Sequence, residues 1–88
     1  MFSGKEQVIT VRIPKSLVGA FIDQFGIRIT ISEEVDGILL ITFIAVPSVI
    51  LLGWLLGLKS VEVVEPENIK EDIINLIQQN MSFYKEKN

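Results

Sequence analysis

The 88-residue chain contains neither cysteine nor histidine. Without cysteine there is no disulfide, no thiolate metal site and no thiol nucleophile. Without histidine there is no Ser-His-Asp or Cys-His catalysis and no imidazole ligand. Positive charge is also sparse. Eight Lys and Arg stand against eleven Asp and Glu, a net charge of −3, which opposes free-standing binding of nucleic acid through clustered phosphate contacts. Ser3, Ser16 and Ser32 have no base to activate them. The acidic run Glu62, Glu65, Glu67, Glu71 and Asp72 reads as a solvated edge that complements a helix dipole, not as a cation site. We therefore assign no catalytic residue, cofactor-binding residue or metal ligand, and expect no enzyme.

What the chain does have is apolar content: 49% of residues are hydrophobic and 22% charged, the composition of one small folded domain. A domain of this size buries only about 60–65% of its unfolded surface, so a homo-oligomer or a covering neighbour is expected. The polar N-terminus, Met1 to Gln7, has no apolar leader segment, and a cytoplasmic location is expected. Gly37 to Leu58 runs 22 residues without a charge, long enough for a membrane helix, and contains the GxxxG spacing at Gly53 and Gly57. Pro47 at its centre, the β-branched first half and the Asp36-Gly37 hairpin signal divide it instead into a buried strand and a helix covered on both sides. No membrane association is expected. Here the glycines serve helix packing, and Gly57 also stops the helix.

Elsewhere the periods are clear. Val8–Ile13 alternates as a strand with one buried face. Pro14-Lys15-Ser16 opens a helix carrying Leu17, Val18, Phe21, Ile22 and Phe25, closed by Gly26. Ile27, Ile29 and Ile31 alternate as a second strand. Ile38–Ala45 is a central strand, Ser48–Leu58 a helix and Val61–Glu65 a short strand. Pro66 opens a last helix with apolar Ile69, Ile73, Leu76, Ile77, Phe83 and Tyr84. The result is an α+β fold, a ferredoxin-like βαββαβ sandwich with an additional C-terminal helix and strand order 4-1-3-2. The domain spans residues 7–84, with flexible ends at 1–6 and 85–88. Ile9, Val11, Ile29, Leu39, Ile41 and Phe43 are expected to face the crossover helices. The other face then carries an apolar strip flanked by arginines: Arg12, Arg28, Ile38, Leu40, Thr42 and Ile44, with Thr10 and Thr30. That strip is the candidate partner or ligand surface, covered by a partner or by the last helix.

The stretch from Trp54 to Lys70, with Trp54-Leu55-Leu56-Gly57, the strand Val61-Glu62-Val63, then Pro66, Ile69 and Lys70, resembles the WCX domain. This is the C-terminal extension of WYL-domain, DeoR-like bacterial transcriptional regulators. Trp54, Gly57, Pro66 and Tyr84 are the structural marks of that likeness, which spans roughly Gln7 to Tyr84. Each also has a plain structural reading: Trp54 as core, Gly57 as helix stop, Pro66 as the first residue of a helix. The resemblance implies a non-catalytic regulatory and dimerisation module. It would self-associate or dock on an upstream WYL domain, and reach DNA only indirectly, through an N-terminal helix-turn-helix that this chain does not carry. An ACT-like small-molecule sensor shares the element order, but the Ile13-Pro14-Lys15 turn lacks glycine. An RRM-like RNA binder needs strand aromatics and basic residues that the third strand lacks.

Overall fold

Strict alternation in β1 (Gln7–Pro14) puts Ile9, Val11 and Ile13 on one face, where all three are fully buried, and Val8, Thr10 and Arg12 on the other. The computed structural model describes residues 4–33 and 35–86. A 3-10 turn at Lys15–Leu17 leads into α1 (Val18–Phe25), and a second at Gly26–Arg28 leads out of it. There follow β2 (Thr30–Glu33), β3 (Ile38–Ala45), α2 (Val49–Gly57), β4 (Glu62–Glu65) and α3 (Glu67–Glu86). The molecule is thus a small α+β domain with one four-stranded antiparallel sheet and three α-helices.

The sheet order is β2-β3-β1-β4, which read from the opposite edge is the expected 4-1-3-2. β1 and β3 pair along their whole length, Ile9 opposite Phe43, Val11 opposite Ile41 and Ile13 opposite Leu39. These pairs, with Val63 of β4, form the sheet side of the core. Phe21 of α1, Leu52 and Leu55 of α2 and Ile69 of α3 close it from one side. Phe21 lies within 6.0 Å, centroid to centroid, of Phe25, Phe43 and Trp54, and Phe25 stacks on Phe43 at 4.3 Å. Both α1 and α2 therefore lie on the same face of the sheet.

Asp36 and Gly37 both have positive φ, and Ile38 N–H donates to Val35 C=O, the geometry of a tight mirror-image turn. This is the hairpin that the Asp-Gly pair signals; Glu34 within the connection lies outside the described residues. Ser48 caps α2: its Oγ accepts from Leu51 N–H at 3.0 Å. Ser48→Ala is expected to lower stability by about 1 kcal/mol in urea denaturation, with an unchanged slope.

Four expectations need correction. The second strand begins at Thr30, not Ile27, because Gly26 turns the chain at φ +71° and residues 26–28 coil into a 3-10 turn. α2 is covered on one side only: Leu52 and Leu55 are buried, whereas Ile50 is 85% exposed. Among the described residues nothing approaches within 4 Å of the position a Cβ would take at Gly53 or Gly57, so their spacing packs against no helix there. Gly57 is the last helical residue, and the left-handed turn that ends α2 falls on Lys59, φ +73°. α3 runs from Glu67 to Glu86; residues 1–3, 87 and 88 of the expected loose ends lie outside the described residues.

Candidate functional site

The buried residues of all three helices, Phe21, Leu52, Leu55 and Ile69, pack against one side of the sheet, which leaves the opposite side as the candidate surface. α3 does not fold over it. Ile69 joins the helix-side core, Ile73 and Leu76 pack against that core, and the helix contacts the edge strand β4. Ile73, Ile74 and Ile77 line a groove with Leu56, Val61 and Val63 at that edge. The far end of α3 stands clear of the core, with Phe83 and Tyr84 exposed.

The register builds the open face in rows. Ile38 sits opposite Pro14. Next comes Ser32, Leu40, Arg12 and Glu62, then Thr30, Thr42 and Thr10, then Ile44 beside Val8. The expected apolar strip is therefore interrupted: the hydroxyls of Thr10 and Thr42 hydrogen-bond at 3.0 Å in the middle of it. Apolar surface remains on either side, at Leu40 and Ile38 and at Ile44 and Val8, the last two 57% and 58% exposed.

The two arginines part company. Arg12 stays on the face and donates from Nη1 to Glu62 Oε1 at 2.7 Å across the β1–β4 pair. This pair is solvent-exposed and adds little stability, but it sets the polar border of the face. Arg28 is not on the sheet at all. It belongs to the turn before β2, and reaches a cleft of about 370 Å³ at the opposite edge, lined by Glu6, Gln24, Phe25, Arg28, Phe43 and Ile44. Sequence alternation had no means of finding Glu6 and Gln24, since neither belongs to a periodic apolar pattern and only the fold brings them beside Phe43.

The residues that carry the WCX likeness have structural work. Trp54 packs edge-on against Phe21 and Phe25, with ring centroids 5.1 and 5.7 Å away, and Leu55, Val63 and Ile69 are buried. Pro66, expected as the first helical residue, instead immediately precedes α3, and its C=O accepts from Lys70 N–H at 3.2 Å. Tyr84 is exposed near the end of α3.

Among the described residues no group of acidic side chains is arranged to hold a metal ion. No helix among them is long and apolar enough to cross a membrane, because the uncharged run is divided between β3 and the nine-residue α2. No protein-family model matches the chain, and no curated protein does.

Proposed function

We propose that this chain is a non-catalytic regulatory and dimerisation module, the C-terminal domain of a WYL-type transcriptional regulator of cytoplasmic location. In this reading the domain is a ferredoxin-like βαββαβ sandwich with an added C-terminal helix. The strand order, the all-antiparallel pairing and the placement of α1 and α2 on one face support that fold. The observation that carries the function is the one-sided core: three helices cover one face of the sheet and none covers the other. A face with Leu40 at its centre and Val8 and Ile44 half exposed gains by association with a second copy or an upstream domain. The Trp54-to-Lys70 motif supports the family part of the reading, since its apolar residues are the ones that lock α2, β4 and α3 to the core.

Sedimentation equilibrium tests the module directly. The chain is expected to form a dimer that Leu40→Asp converts to a monomer with the same circular dichroism spectrum. A chain that stays monomeric at millimolar concentration removes self-association; a dimer indifferent to Leu40→Asp moves the contact off this face. An in-frame winged helix and WYL core upstream in the gene is the result expected of the family reading.

A further inference from the structure

β3 outruns its neighbour. β2 begins at Thr30, opposite Thr42, so Phe43, Ile44 and Ala45 have no strand beside them on that edge among the described residues. The alternation of Ile27, Ile29 and Ile31 would place a strand there. The 3-10 turn at Gly26–Arg28 replaces it, and the cleft of about 370 Å³ opens in the gap. Its volume lies in the range of small-molecule sites.

The lining combines three kinds of chemistry. Half-buried Phe25, stacked on Phe43, and exposed Ile44 supply the apolar part of the lining. Arg28 is exposed and has no ion-pair or hydrogen-bond partner among the described residues, so its guanidinium is available to an incoming anion without breaking an existing pair. Glu6 supplies a carboxylate, Gln24 an amide, and the edge of β3 that no described strand pairs offers main-chain groups. An organic anion alone would meet the Glu6 charge, and an organic cation alone would meet Arg28. A molecule with one charge of each sign satisfies both.

We infer that this cleft binds a small zwitterion with an apolar, ring-sized body, the chemistry of an aromatic α-amino acid. The carboxylate goes to Arg28, the ammonium group to Glu6, and the ring lies against Phe25 and Ile44. This inference goes beyond the regulatory reading; Ile44 borders both surfaces, but Phe25 of α1 and Arg28 of the 3-10 turn lie off the open face, so their response reports the cleft separately from dimerisation.

Titration of the intact chain by amide NMR tests it, with L-phenylalanine as the probe. The expected result is a saturable shift confined to residues around Glu6, Phe25, Arg28 and Phe43–Ala45, with millimolar affinity or better. Arg28→Gln and Glu6→Gln, both at exposed positions, should each weaken binding roughly tenfold while leaving the melting curve unchanged. 3-Phenylpropionate lacks the ammonium group, phenethylamine the carboxylate and serine the ring; each should bind roughly tenfold more weakly than phenylalanine. Absence of saturable shifts at these amides with about 10 mM phenylalanine overturns the inference. So does binding that either single-charge analogue reproduces, or that both variants leave unchanged.

Discussion

Phe21→Ala is expected to bring the domain close to unfolding at room temperature. Phe21 is fully buried, and its ring meets Phe25, Phe43 and Trp54, one partner from its own helix, one from β3 and one from α2. Truncating such a side chain removes its transfer free energy and leaves a cavity that three rings cannot fill without leaving their rotamers, at a cost of about 3–5 kcal/mol. A domain of this size has total stability of roughly 5–10 kcal/mol. The loss corresponds to a fall in melting temperature of roughly 15–30 °C, read by far-ultraviolet circular dichroism. Phe21→Leu should lose far less, about 1–1.5 kcal/mol, because it keeps most of the volume. If Phe21→Ala lowered stability by less than about 1 kcal/mol, the ring cluster would not be what joins the helix layer to the sheet.

The second large effect concerns α3. Ile69 lies in its first turn and is completely buried, so Ile69→Asp places a carboxylate among apolar side chains with no partner on hand. Desolvating that charge costs several kcal/mol. The expected outcome is release of α3 from β4: lost helical ellipticity, fast hydrogen exchange in β4, and aggregation through an edge strand no longer packed against the helix. A chain ending at Gln78 should behave oppositely and melt within a few degrees of the parent. Every residue from Ile77 to Lys85 is exposed, and the removed segment contributes almost nothing to the core. Unchanged protection of β4 in Ile69→Asp would show that α3 is not held by its first turns.

How far periodicity reaches depends on what limits it. In β1 and β3 it is sufficient, because Ile9, Val11 and Ile13 and Leu39, Ile41 and Phe43 are buried on one face and a shift of one residue would expose them all. The start of α2 is equally legible from Pro47 and Ser48, since a cap is a local hydrogen bond. The pattern fails at Ile27, Ile29 and Ile31. Three alternating isoleucines fit a strand, but the turn after Gly26 uses up the first of them, so Arg28 moves from the sheet face to the cleft. α2 fails differently: nearly every residue is apolar, so nothing in the order of residues says which side faces solvent, and Ile50 ends up outside.

The order of residues alone determined the types of the long elements and which side chains of β1 and β3 turn inward, because each follows from local hydrogen bonding and a two- or 3.6-residue period. Only the tertiary structure decided that α3 would lie along β4 instead of across the open face, and that Glu6, Gln24 and Arg28 would meet beside the edge of β3 that no described strand pairs. Those outcomes depend on where β2 ends its pairing and which side of the sheet each helix covers. They are relations between segments distant in the chain, and no local period encodes them.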